Sequence, residues 1–168
     1  MRMLFVIYLL LSFVLPSSAE LRGIESALQN EIGKVAIYTY VPRGLVVSFD
    51  ENLFFDGTNE KISRHGLLIL NSIADVINSV DNICVIEGHT RDLDKFKSDI
   101  YQDNWELSLA RANNIVLYLI RCKNVNPKKL LPIGYGAFMP FHDSVSYTGD
   151  LNCRIDFVFL DYGKLSYD

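Results

Sequence analysis

The stretch "VIEGHTRDLDKFKSDIYQDNWELSLARANNIVLYLI", residues 85–120, contains the end of an apolar strand, a polar loop and the beginning of a long helix. The run Cys84–Ile86 is short and apolar, which is typical of a buried strand. Asp103, followed by Glu106 three positions later, has the pattern of a capping box at a helix N-terminus. The stretch therefore predicts a strand, a polar rim and a helix in succession.

The predicted helix has apolar residues at helical spacing, and we expect this stripe to face the core. The stripe comprises Trp105, Leu109, Ala112, Val116 and Leu119. Helical geometry places Ser108 and Arg111 on the flank of the stripe, where a side chain can lean toward the polar rim.

The flanking segments complete an α+β pattern. Two β-rich runs, 35–40 and 45–49, are separated by Pro-Arg-Gly and predict a hairpin or a bent strand pair. Ser63 has the character of an N-cap for a helix of about four turns. Two more strands follow Asn126-Pro127. The order predicts a mixed sheet with the helices packed on one face.

The N-terminus has the organisation of a signal peptide: one basic residue, an apolar run, then Pro16 and small residues up to Ala19. An uncleaved inner-membrane signal anchor is the alternative, although the run is shorter than the ~20 residues that a membrane-spanning helix needs. We therefore expect export to the periplasm or cell envelope. The remaining chain is divided into 20–42, an N-terminal helix with a lead-in strand, 43–162, the main domain, and 163–168, a tail.

Composition and cysteine spacing exclude several function classes. The net charge of −4, with no basic run, argues against binding to nucleic acid. Cys84, Cys122 and Cys153 have no C-x-x-C spacing, which argues against zinc. In an oxidising compartment they could form one disulfide, but the sequence does not choose the pair, and small buried thiols are an equally good interpretation.

The sequence shows no nucleophile with its base, no carboxylate pair and no metal-ligand spacing, so we expect neither an enzyme nor a cofactor or metal. The loop after Gly88 is different, because it follows the carboxyl end of a strand and leads into a capped helix, where backbone N–H groups can face an anion. A binding site at this loop is therefore the main candidate.

Four motifs resemble, in order and spacing, the OmpA-like C-terminal domain that anchors envelope proteins to peptidoglycan. They are "VIEGHT", "NWELSLARANNIVLYL", "PKKLLPIGYGAFMP" and "NCRIDF". "GLVVSFDENLFFDG" and "LLILNSIADVI" are similar to that domain's first strand and helix, so the resemblance spans about 43–160 and implies a β-α-β-α-β-β fold. The "NWELS" motif is most similar to the MotB-type variety. Stator activity itself is not expected. A MotB-like stator subunit needs a membrane helix with a proton-carrying aspartate, and the segment before Ala19 has no acidic residue.

The resemblance implies a binding module for the diaminopimelate end of a peptidoglycan stem peptide, a zwitterion with one ammonium and one carboxylate. Arg111 matches the family's cation, Thr90 the threonine of its Gly-His-Thr, and Asn104 the asparagine that opens its second helix. Relatives of the MotB type also imply envelope protein partners and a homodimer.

Two positions depart from the family pattern. Arg91 replaces the family's aspartate, so the ammonium of the ligand would need Asp92 or Asp94 instead. Alternatively, two arginines could suit a more anionic ligand, or the domain has lost wall binding and serves as a protein–protein module in an envelope complex. Cys153 replaces the first arginine of the family's "NRR", while Arg154 keeps the second; this affects the strand end more than recognition.

Overall fold

A computed structural model describes residues 19–56, 60–91, 100–141 and 151–161. The expected signal peptide, apart from its last residue, and the expected tail at 163–168 lie outside these ranges. Among the described helices none has both the length and the apolar character needed to cross a membrane.

The described chain contains three α-helices and five strands. The helices are α1 (19–32), α2 (Arg64–Ser79) and α3 (Asn104–Lys123). The strands are β1 (Ile37–Val41), β2 (Gly44–Asp50), β3 (Cys84–His89), β4 (Leu130–Gly134) and β5 (Arg154–Leu160). Single 3-10 turns at Glu51–Leu53 and Pro127–Lys129 follow β2 and precede β4. The predicted α+β order is confirmed.

The five strands form one mixed sheet in the order β1-β2-β5-β3-β4. β1 and β2 form an antiparallel hairpin, and β5 pairs antiparallel with both β2 and β3. β3 and β4 are parallel, because α3 carries the chain from one to the other. The last strand in sequence therefore lies at the centre of the sheet.

The helix ends have the predicted caps. The Ser63 side chain accepts a hydrogen bond from the Gly66 amide at 3.0 Å and begins α2. Asp103 accepts one from the Glu106 amide at 3.0 Å, and Glu106 reaches back to the Gln102 amide at 2.8 Å, which begins α3.

All three helices pack on one face of the sheet, as predicted. Their apolar residues and the inward-facing side chains of β2, β3 and β5 form one buried cluster. Its centre contains aromatic rings, including Phe49 and Phe157, whose centroids are 5.6 Å apart in an edge-to-face arrangement.

The predicted core stripe of α3 is wrong in its first half. Trp105 and Leu109 are each 47% exposed, whereas Leu107, Ser108 and Arg111 are buried. The reason is a close approach of backbones. A Cβ at Gly88 of β3 would stand 2.2 Å from the Ser108 carbonyl oxygen, so the small serine faces the sheet and the tryptophan is turned outward.

The three cysteines are free thiols. Cys84 pairs with Phe159 near the end of β5, whereas Cys153 precedes the first residue of that strand. At about 3.4 Å per residue these two cysteines are about 20 Å apart, far beyond the ~7 Å between Cα atoms that a disulfide tolerates. Cys84 is buried in the core and Cys122 is exposed near the end of α3.

Candidate functional site

At the predicted polar rim β2 and β3 end and the antiparallel strand β5 begins. Asp50 on β2 pairs with Arg154 on β5, which pairs in turn with His89 on β3. The residues that immediately follow or precede these positions are therefore neighbours. They are Glu51, Cys153 and Thr90, and the Glu51 amide donates to the Cys153 carbonyl at 3.2 Å.

Arg111 is almost fully buried beneath this rim. Its Nη1 donates to the Glu51 carboxylate, and its guanidinium carbon lies 5.0 Å from the centre of the Phe55 ring. A long helical side chain points back toward the helix N-terminus, so the guanidinium lies on the Asn104 side of its own Cα. Arg111, the expected cation of the site, is therefore held by an ion pair and an aromatic face.

Thr90 and Asn104 are brought together around Gly136. The Thr90 amide donates to the Gly136 carbonyl at 2.8 Å, and the Gly136 amide donates to Ser108 Oγ at 3.0 Å. A Cβ at Gly136 would be 3.6 Å from Asn104 Cβ. Thr90 Oγ1 and Asn104 Oδ1 are buried, and within the described ranges neither has a hydrogen-bond partner. Two buried polar atoms near the N-terminus of α3 thus have unused hydrogen-bonding capacity.

Arg91 is exposed at the edge of the same rim, and its amide donates to Cys153 Sγ at 3.3 Å. Burial raises the pKa of Glu51, while the charges of Arg111 and Arg91 both act in the opposite direction. Both arginine charges therefore favour the ionised form of Glu51, and Arg111 is the one in direct contact with it. Asp92 falls in 92–99, outside the described residues.

Sequence analysis missed Glu51. The available signal was a pair of acidic residues, Asp50 and Glu51, directly after the predicted strand 45–49. It could not be used without the strand order, which places β2 and β3 on either side of β5.

A second polar cluster lies on the sheet face opposite the helices. Arg43 donates to both oxygens of Glu87 at 2.6 and 2.8 Å, and Arg154 Nε donates to Asp156 at 2.9 Å. His89 Nε2 is 3.2 Å from the same Asp156 carboxylate. Glu87, His89 and Asp156 are close enough to surround one cation, but both carboxylates already hold a guanidinium. The arrangement is that of a buried ion-pair network.

Burial alone would raise the pKa of Asp156. The His89 hydrogen bond and the Arg154 charge outweigh burial and hold the pKa of Asp156 below its usual range. The cluster opens into a cleft of about 380 Å³. Pro140 and Phe141 line its far side, and the Phe141 ring centre lies 5.4 Å from the Arg154 guanidinium carbon.

An apolar platform lies beside the rim. Trp105 stacks on Phe138, with ring centroids 5.2 Å apart, and Leu109 and Met139 are also about half exposed. Because Trp105 directly follows Asn104 at the beginning of α3, the platform adjoins the candidate site.

Comparisons with known proteins agree with this fold. Residues 54–151 match the sequence model of the OmpA family. Motility protein B of Bacillus subtilis is 30% identical over 123 residues, which are 71% of this chain and 46% of that protein. The chain spans less than half the length of the curated relatives it matches.

Two solved structures share the fold. A MotB-like protein from Desulfovibrio vulgaris superposes with a TM-score of 0.75 at 18% identity, covering 90% of this chain and 94% of that one. The cell wall anchor of the type VI secretion system from Pseudomonas aeruginosa gives a TM-score of 0.68 at 21% identity, covering 82% and 96% of the two chains.

Proposed function

This chain belongs to the OmpA family, and on that premise we propose that it is a cell-envelope protein that binds peptidoglycan noncovalently, through the diaminopimelate end of the stem peptide. Two of its relatives carry names consistent with this role, a motility protein and a cell wall anchor. The function proposed is recognition without catalysis. Export by residues 1–19 to the periplasm is part of the proposal.

One observation carries the proposal. Buried Arg111 lies at the end of three strands where Thr90 and Asn104 keep buried oxygens without a partner in the described chain. A carboxylate is the natural partner of a buried guanidinium, and an ammonium supplies the donors that unpaired oxygens accept. The end of a diaminopimelate side chain offers both groups on one carbon.

Co-sedimentation with purified sacculi tests the proposal. The full chain, kept soluble with a mild non-ionic detergent, should pellet with diaminopimelate-type sacculi and less with lysine-type sacculi, whose side chain lacks the terminal carboxylate. Arg111→Lys should weaken pelleting, because a lysine cannot bind the carboxylate bidentately. Arg121→Lys is the matched control, an exposed arginine on the same helix. Equal pelleting of the wild type with both types of sacculi, or none, contradicts the proposal.

A second candidate function is a protein–protein module that has lost wall binding. The exposed platform of Trp105, Leu109, Phe138 and Met139 favours it, because exposed aromatic clusters often mark interfaces. Cross-linking in cells of the wild type and a Trp105→Ala/Phe138→Ala variant separates the two functions. A cross-linked complex that depends on the platform, together with no binding to sacculi, supports the module.

A further inference from the structure

The acid that faces Arg111 is Glu51, which follows β2, whereas Arg91 follows β3. Glu51 begins the 3-10 turn directly after β2, and its carboxylate receives the Arg111 hydrogen bond. Its side chain is only 14% exposed and that of Arg111 only 3%, so both charges are largely removed from water. Each group therefore serves as a counterion that contacts the other directly.

Two arginines act on the Glu51 carboxylate from different positions, while the neighbouring acid Asp50 opposes them. Arg111 contacts the carboxylate from below, and Arg91 acts on it electrostatically from the exposed edge. An aspartate at position 91 is therefore not required to make the rim zwitterionic, since Glu51 supplies the negative charge from across the sheet.

We propose that Glu51 is the specificity-determining acid of the site, and that its ion pair with Arg111 selects ligands carrying an ammonium and a carboxylate together over ligands carrying a carboxylate alone. The inference rests on the proposed function and names the residue that binds the ammonium.

The selection follows from what each ligand does to the ion pair. A lone carboxylate that binds Arg111 displaces Glu51 and leaves this largely buried carboxylate without the guanidinium that contacts it, which is costly. A zwitterion brings its own ammonium, so one ion pair is replaced by two. The three ammonium hydrogens can then be accepted by Glu51 and by the unpaired oxygens of Thr90 and Asn104.

Titration calorimetry with two small probes tests this selection on the full chain. meso-Diaminopimelate carries the zwitterionic end, and pimelate has the same carbon chain and carboxylates without the amines. We expect the wild type to bind diaminopimelate at least about tenfold more tightly than pimelate. Glu51→Gln should weaken diaminopimelate binding by about tenfold or more and reduce the preference to less than about threefold.

Two further variants keep the test decisive. Asp81→Asn removes one acidic charge at an exposed position before β3, at the opposite end of that strand from the rim, and should retain the wild-type affinity and preference. Glu51→Asp retains the charge on a shorter side chain, and should keep the preference at a lower affinity. If circular dichroism shows that Glu51→Gln does not fold, Glu51→Asp serves as the test in its place. In that case, wild-type affinity of Glu51→Asp for diaminopimelate overturns the inference.

The two proposals fail in distinguishable ways. A wild-type chain that binds neither diaminopimelate nor sacculi overturns the proposed function and the inference with it. A folded Glu51→Gln protein that binds diaminopimelate with wild-type affinity and preference overturns only the role of Glu51.

Discussion

The carbonyl of Ser108 on α3 lies so close to Gly88 on β3 that a Cβ at Gly88 would stand 2.2 Å from its oxygen. This contact sets how deeply α3 sits on the sheet. It also positions Ser108 Oγ to accept the Gly136 amide at 3.0 Å, which fixes the loop beside Asn104. One glycine therefore links the packing of the helix to the geometry of the rim.

Gly88→Ala should lower the free energy of unfolding by about 1–3 kcal/mol, because the methyl group must displace helix backbone. Gly23→Ala, at an exposed position of α1, is the matched control. A Cβ there meets nothing within 4 Å, and alanine should stabilise the helix by up to about 1 kcal/mol. Urea unfolding of both variants measures the difference, and a Gly88→Ala protein as stable as wild type contradicts the close packing.

The ion pair between Arg111 and Glu51 should be strongly coupled. Arg111→Met leaves Glu51 buried without its counterion and should cost about 3–5 kcal/mol, whereas Arg121→Met on the exposed face should change stability by less than about 0.5 kcal/mol. Adding Glu51→Gln to Arg111→Met should recover part of the loss. A double-mutant cycle by urea unfolding measures the coupling, which we expect to exceed about 1 kcal/mol. Additive losses contradict it.

Asp156 should make stability depend on pH in the acid range. The pKa of Asp156 is lowered in the folded protein, so the unfolded chain binds the proton more readily. The stabilisation is complete above the unfolded pKa of about 4, and is lost as pH falls through the lower folded pKa.

The free energy of unfolding of Asp156→Asn should therefore be about 3–5 kcal/mol lower than that of the wild type at pH 7. This difference in unfolding free energy should become smaller below pH ~4. Urea midpoints measured from neutral to acid pH test this. Asp81→Asn, at an exposed position, should follow the wild type throughout. A gap of constant size across the acid range would show that the ion pairs of Asp156 do not stabilise the fold.

Lys129 closes the C-terminal end of α2. Its ammonium is buried and donates to the carbonyls of Ile77 and Val80, where a positive charge also suits the helix dipole. Lys129→Met should cost about 1–3 kcal/mol, because these carbonyls lose their donor. The exposed neighbour gives the control, since Lys128→Met should stay within about 0.5 kcal/mol. Thermal unfolding of Lys129→Met and Lys128→Met at one pH measures the difference. Equal melting temperatures would show that Lys129 does not stabilise the end of α2.

Short sequence patterns predicted the helices and strands well, because the interactions that begin and end these elements involve residues only a few positions apart. The caps at Ser63 and Asp103 and the hairpin before Gly44 were all predicted from short patterns. The failure in α3 has a non-local cause. Periodicity favoured Trp105 and Leu109 for the core, but the glycines of β3 and β4 admit the backbone on the Ser108 side instead.

The site was only partly predictable for the same reason. Arg111, Thr90 and Asn104 lie within one stretch of about 20 residues, and the motifs of that stretch predicted them as one group. Glu51 lies 60 positions from Arg111, and only the sheet order brings it near. Arg111 was expected on the flank of α3 and is buried, because its counterion and the Phe55 ring come from that distant segment.

The central position of β5 has a consequence for how the domain assembles. Until residues 154–160 are in place, β1 and β2 form one ribbon and β3 and β4 another, each with an unpaired inner edge. The chain therefore cannot build its sheet progressively from the N-terminus. The five-stranded sheet is complete only when β5, near the end of the described chain, has paired with β2 and β3. A product cut short before Arg154 would expose two open strand edges, which makes it a candidate for aggregation or rapid proteolysis.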